Sequence, residues 1–135
     1  MDVEITELEK KVDDRGFLVE FLKETELRDK NKKFGQVYFV AFTPNVSRGH
    51  HYHRSKVEWF GIVHGICEVV LEDIKTKERK EIILDSNDEK FKRIRVGPNV
   101  AHVFKNVSKD TAVLIAYGSK IFKPEDSDTY PYKSL

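Results

Sequence analysis

Three histidines and one glutamate stand out by residue type and spacing. His51-Tyr52-His53 is followed by four residues and Glu58, then by six residues and Gly65. His102 lies far off, within Gly97-Pro98-Asn99-Val100-Ala101-His102, with Asn106 four residues further on. On a strand, residues i and i+2 share a face, so His51 and His53 converge on one point. A tight turn over Arg54 to Val57 returns Glu58 to that point from the next strand. A lone His-x-His is more often a surface pair, but a carboxylate and a glycine at fixed spacing, with a distal histidine after a proline-containing turn, point to a shared pocket. Three imidazoles and a carboxylate on a concave wall suit a divalent first-row transition metal, with zinc the leading candidate and iron or manganese the others. His50 and His64 fit no pattern and are expected at the surface or behind the ligands.

A concave wall of this kind has to be built from strands, and turn signals recur every 8 to 12 residues along the chain. Val3 to Val12 alternates loosely, Asp13-Asp14-Arg15-Gly16 is a turn, and Phe17 to Leu22 is an apolar run. Strands are expected over Gln36 to Thr43, around His51, and over Glu58 to His64. Ile66 to Asp73 follows, with Cys67, Val69 and Leu71 on one face. Glu81 to Leu84, Lys92 to Val96, Ala101 to Asn106 and Thr111 to Tyr117 complete the series. Arg93-Ile94-Arg95-Val96 alternates strictly, which predicts a strand with one wet face. Glu24 to Lys33 alone reads as a helix. Many strands and almost no helix predict an all-β sandwich, jelly roll or barrel, with residues 1–135 forming a single domain.

Nine Phe, five Tyr and one Trp supply a core. Phe17, Tyr38, Phe42, Trp59 and Phe60 are read as barrel wall, and Lys75 to Arg79 as a solvated hairpin tip. Twenty-four basic residues against 23 acidic give a net charge of +1, which offers no global case for nucleic acid or a membrane surface. Cys67 is the sole cysteine, so no intramolecular disulfide forms and a reducing compartment is expected. The N-terminal residues lack the apolar stretch of a signal peptide, and no run approaches a membrane span, so a cytoplasmic location is expected.

The spacing His-x-His-x4-Glu-x6-Gly is similar to the first cupin motif, and Asn99 through His102 to Asn106 resembles the second. Asn99 stands where that family usually has Gly; Asn tolerates the left-handed conformation, so the turn survives. Pro98 lies one place later than the usual Pro, and no Gly precedes His51 by six residues. This resemblance covers roughly Gln36 to Tyr117 and implies a double-stranded β-helix barrel. A narrower one covers almost the whole chain. Asp14-Arg15-Gly16-Phe17 with Glu20, Phe34-Gly35-Gln36, and Arg48-Gly49-His50-His51-Tyr52 resemble sugar-nucleotide epimerases of the dTDP-4-dehydrorhamnose 3,5-epimerase type. Pro44 through Phe60 looks closer still to the PGxxRGxHYHxxKxExF stretch of the C-terminal cupin domain of capsular polysaccharide-synthesis bifunctional reductases. Phe122-Lys123-Pro124 and Asp128-Thr129-Tyr130 fit that template too. Relative to the rhamnose-pathway epimerases, His53 replaces Gln and Glu58 replaces Lys, which makes a base site competent for metal. Their tyrosine-rich segment is Ile121-Phe122 here, leaving Tyr117 as the nearest tyrosine.

The resemblance implies an epimerase or ketoisomerase acting on a nucleotide-linked 4-keto-6-deoxy hexose in surface-polysaccharide synthesis. The step is proton transfer at carbon beside the keto group, where the enolate oxygen needs electrophilic stabilisation. If His51 is a metal ligand, the base is another group: Lys56, His50 or Tyr117. Without metal, His51 is the base and Glu58 orients it. Arg15, Glu20, Gln36 and Arg48 are the implied substrate-binding residues, the two guanidiniums matching the diphosphate. A homodimer is expected, with Val3 to Val12 covering a partner's sheet edge. Two other classes fit the residues: a sugar-nucleotide-binding or interaction cupin without chemistry, and a metal-dependent dioxygenase.

Overall fold

In the computed structural model the described residues are 1–27 and 33–135. Among them twelve strands form: β1 (Val3–Leu8), β2 (Lys11–Asp13), β3 (Gly16–Leu18), β4 (Gln36–Phe42), β5 (Ser47–Tyr52), β6 (Glu58–His64), β7 (Ile66–Asp73), β8 (Arg79–Asp85), β9 (Phe91–Val96), β10 (Val100–Asn106), β11 (Ala112–Gly118) and β12 (Tyr130–Pro131). Two five-stranded sheets, ordered β1-β9-β6-β11-β4 and β12-β5-β10-β7-β8, face each other as a jelly roll, and β2-β3 is a separate hairpin. Every pairing is antiparallel. The expected all-β architecture is present.

Strand parity sets the core. Cys67, Val69 and Leu71, alternate residues of β7, are each 0% exposed and pack with Phe60, Ile94 and Phe104. Among the described residues no helix is long and apolar enough to cross a membrane.

Three local readings are corrected. The expected helix from Glu24 is a single 3-10 turn over Glu24–Glu26 that ends in extended backbone at Leu27; the remainder of that reading, over 28–32, lies outside the described residues. The turn is polar and short because its task is to hold a buried cation. Arg93, read as facing water, is 5% exposed: its guanidinium donates to Phe21 O at 2.7 Å and to Glu26 Oε2 at 2.7 Å. A buried guanidinium requires such partners, and the segment after β3 supplies them. Phe17, read as wall, sits on the separate hairpin and is 51% exposed.

Two irregularities position the site. Asn99 is left-handed, with φ 62°, and its N–H donates to His53 O, tying the turn before β10 to the end of β5. In β5, Gly49 and His50 both have positive φ, and the register against β10 shifts there: His51 opposes His102, but Gly49 opposes Val103. The extra residue is a β-bulge. On a regular strand, residues three apart point to opposite faces; the bulge turns Arg48 to the same side as His51. A Cβ at Gly49 would lie 2.5 Å from His102 O, so this close approach needs glycine.

Candidate metal centre and pocket

His51 and His53 project from β5 and the loop after it, Glu58 from the start of β6, and His102 from β10. One ligand atom from each lies within 4.8 Å of all the others. His53, Glu58 and His102 are buried, at 5, 3 and 1% exposure, and His51 is half-buried.

Hydrogen bonding fixes which nitrogens face the centre. His53 Nδ1 donates to Asp128 O at 2.7 Å, and His102 Nδ1 donates to Val100 O at 3.2 Å. Each bond leaves Nε2 turned inward, as second-shell carbonyls do for metal-binding histidines. His53 Nε2 stands 2.6 Å from Glu58 Oε1, and His102 Nε2 stands 3.6 Å from the same oxygen. His102 Nε2 is buried with no hydrogen-bond partner among the described residues. An orphaned lone pair aimed at a carboxylate is a cost that a shared cation removes. The donor set fits a divalent transition metal.

The protonation states agree. Burial drives His102 down to about 4, so its imidazole is neutral at physiological pH. Burial pushes the Glu58 carboxyl up, but the His53 hydrogen bond, the neighbouring His102 and His53, and the Tyr38 hydroxyl outweigh it and hold it at about 2. His51 is lowered by burial and then by His53. All three offer free electron pairs near neutrality, as metal ligands must.

A cavity of about 410 Å³ opens beside this group, lined by Gln36, Tyr38, His51, His53, Lys56 and Glu58 among others. Arg48 joins His51 and His102 around a smaller cleft of about 120 Å³. Of the residues singled out in the sequence, His51, His53, Lys56, Glu58, His102, Gln36 and Arg48 are therefore gathered together. Three are not. Tyr117 is one residue out of phase with Gly118, which pairs with Glu58, so its ring lies on the outer face of β11 against Phe34 and Trp59, and its hydroxyl accepts from Gly35 N–H. Arg15 lies in the β2-β3 turn, its side chain 85% exposed and paired with Asp13 at 2.5 Å. Glu20 pairs with Lys11 and Lys23. His50 contributes its backbone carbonyl to Tyr132 N–H. Tyr38, read as wall, is the tyrosine of the pocket: its hydroxyl donates to Glu58 Oε2 at 2.6 Å. Gln36 and Tyr38 are i and i+2 on β4, so the parity that places one places the other.

Asp128, which the sequence marks only as part of the C-terminal resemblance, holds the loop between β5 and β6. Its carboxylate accepts from the N–H groups of Arg54, Ser55 and Lys56 and from Ser55 Oγ, all at 2.9 to 3.0 Å. Burial pushes this carboxyl up, but those donors together hold it at about 2. A carboxyl lowered from its ordinary 3.8 stabilises the fold above that value and loses the contribution as pH falls toward about 2. Asp128→Asn keeps the side chain's tolerance of φ 48° but loses the charge. Its melting temperature should lie below the parent's at pH 7, with the gap narrowing from pH 4 downward. A gap independent of pH would show that the charge is not what holds the loop.

A jelly roll with three imidazoles and a carboxylate on its inner wall is a cupin. The chain belongs to the polysaccharide biosynthesis C-terminal domain family, whose pattern matches residues 11–130. It is 34% identical over 118 residues to the UDP-2-acetamido-2,6-β-L-arabino-hexul-4-ose reductase of Pseudomonas aeruginosa, covering 87% of this chain and 29% of the reductase. The capsular polysaccharide assembling protein CapF of Staphylococcus aureus superposes with a TM-score of 0.69 at 26% identity, over 93% of this chain and 34% of that one. The chain thus spans about a third of the length of either relative. The dTDP-6-deoxy-D-glucose-3,5-epimerase RmlC of Legionella pneumophila, solved with dTDP-4-keto-L-rhamnose, shares the fold with a TM-score of 0.82 at 21% identity, covering 98% of this chain and 73% of that one.

Proposed function

We propose that this chain is an epimerase or ketoisomerase of a nucleotide-linked 4-keto-6-deoxy hexose, acting in surface-polysaccharide synthesis. The observation that carries the reading is the cavity in which a four-donor group, a lysine and a hydrogen-bonded tyrosine meet. His51, His53, Glu58 and His102 would hold a divalent transition metal, zinc before iron or manganese. When bound it supplies Lewis acidity toward the sugar's keto oxygen. Lys56, lining the same cavity and 8% exposed, moves the proton at the carbon beside the carbonyl. Tyr38 fixes the second oxygen of Glu58. Gln36 and Arg48 grip the sugar from two sides. Incubation with a dTDP- or UDP-linked 4-keto-6-deoxy hexose in D2O tests the reading: deuterium should enter the sugar at C3 or C5 for an epimerase, or at C4 for a 3,4-ketoisomerase. Saturable binding without any incorporation would make the chain a binding module instead.

The same reading places the protein in the cytoplasm as a single-domain homodimer. The segment Val3 to Val12, expected to cover a partner's sheet edge, pairs instead with β9 and β3 of its own chain. Val37, Phe39 and Val63, on the outer face of the β4-β11-β6 part of the sheet, are 55, 74 and 49% exposed, an apolar surface that a second copy would cover. Light scattering at tens of micromolar should give twice the monomer mass; a monomer mass would reject the dimer.

A further inference from the structure

Beside the histidine pocket lies a second and larger cavity, of about 580 Å³. The two share Lys56 and Lys120, so a ligand can extend from one into the other. Its walls carry five cations, Lys33, Arg54, Lys56, Lys120 and Lys123, against two carboxylates, Asp126 and Asp128. The chain as a whole has a net charge of only +1, so this concentration is not a by-product of a basic protein.

The acidic side of the balance is weaker than the count suggests. Asp128 is consumed by three backbone N–H groups and the Ser55 hydroxyl. Among the described residues none of Arg54, Lys120 and Lys123 is paired with a carboxylate. Two cations are nevertheless held in place. Arg54 lies over the Tyr130 ring, 4.0 Å from its centroid, and Lys120 Nζ donates to Ser55 Oγ at 3.0 Å. Positioned cations without anionic partners, gathered in one concavity, lower the cost of ordering them around an incoming anion. The same walls offer flat apolar surface in Phe34, 73% exposed; the Tyr130 ring is already taken by Arg54 and by the stacked Tyr52. Cations next to an exposed ring suit a phosphorylated nucleoside, the phosphates taking the charge and the base taking the ring face. A volume of about 580 Å³ lies within the usual range for small-ligand sites. The cleft at Arg48, about 120 Å³, does not accommodate such a group.

We infer that this cavity binds the nucleoside diphosphate half of the substrate, with Arg54, Lys120 and Lys123 on the diphosphate and Phe34 against the base, while the hexose enters the histidine pocket past Lys56 and Lys120, which line both. The inference rests on the sugar-nucleotide reading above and moves the diphosphate away from Arg15, which the fold places on a separate hairpin.

The test is calorimetric titration of TDP, UDP and inorganic pyrophosphate into the parent, Lys120→Glu/Lys123→Glu, Arg54→Ala and Arg48→Ala proteins. All four substituted side chains are exposed, so the variants should fold, with melting temperature as the check. The parent should bind a nucleoside diphosphate, with affinity falling as salt is raised. Each lost charge-assisted contact is worth enough that the double reversal should weaken binding by about tenfold or more and flatten the salt dependence. Arg54→Ala should weaken it too, and Arg48→Ala should leave it nearly unchanged. If TDP or UDP binds the parent but the double reversal binds as tightly, the assignment of the cavity is overturned while the sugar-nucleotide reading stands. If pyrophosphate binds and is lost in the double reversal, but neither nucleotide binds better than pyrophosphate, the cavity is an anion site and the nucleotide assignment falls together with that reading.

Discussion

Replacing His51 by alanine is expected to lower kcat on the 4-keto sugar nucleotide by about 10²-fold or more, the usual scale of general acid–base effects. The expectation holds whether His51 binds metal or carries the proton itself. As a ligand, its loss opens one corner of a group whose donor atoms lie within 4.8 Å of one another. As a base, its loss removes the acceptor, and of the other candidates Lys56 alone lines the cavity, Tyr117 and His50 not being turned to it. Nucleotide affinity should stay nearly intact, because His51 does not line the cationic cavity. Arg48→Ala makes the contrast. Its guanidinium shares the small cleft with His51 and His102 but is not one of the four donors, so KM should rise with kcat little changed. Steady-state kinetics on both variants, with metal content measured in each, separate the roles. Unchanged turnover in His51→Ala would sink the epimerase assignment.

Much of this site was legible in the sequence, and for a physical reason. Residues that alternate along strands keep their relative sides whatever the sheet does, so His51 and His53, or Cys67, Val69 and Leu71, are placed by parity alone. The strands Glu58–His64 and Ile66–Asp73 coincide with the sequence reading because Gly65, with φ 100°, marks the bend between them. What parity could not place is whatever depends on a register shift or on a distant segment. Arg48 reaches the side of His51 only through the bulge at Gly49 and His50. Asp128 comes to the β5-β6 loop from more than seventy residues away. Arg93 looked solvated because alternation shows which side a residue faces, not whether another segment covers that side. Tyr117 failed by the same arithmetic that succeeded elsewhere: next to Gly118 opposite Glu58, it had to point away from the histidines.

Asn106 marks the boundary between site and scaffold, and its removal should carry the largest cost in stability. It is 0% exposed at the end of β10. Its amide donates to Phe42 O at 2.9 Å and to Asp110 O at 2.8 Å. Its carbonyl accepts from Ser108 N–H at 2.9 Å and from Ser108 Oγ at 2.5 Å. One side chain thus closes the turn between β10 and β11 and ties it to the end of β4, which borders β11 in the opposite sheet. Alanine would leave the buried Phe42 carbonyl without its donor, while the Asp110 carbonyl and the Ser108 N–H lie in a part-exposed turn that water reaches. A buried group left unsatisfied costs about 1–3 kcal/mol and the part-exposed bonds add less, so Asn106→Ala should lower unfolding stability by about 2–4 kcal/mol. Asn106→Asp should fall at least as far, because it loses both donated bonds and buries a charge. Urea unfolding of the three proteins measures this, with an unchanged denaturant slope expected if the folded state keeps its compactness. A loss below about 1 kcal/mol would mean that the turn finds other partners and that the network does not hold the two sheets together. The metal group offers an independent readout: His102 lies four residues upstream on the same strand, so a loosened β10 should also weaken metal binding, although Asn106 touches no ligand.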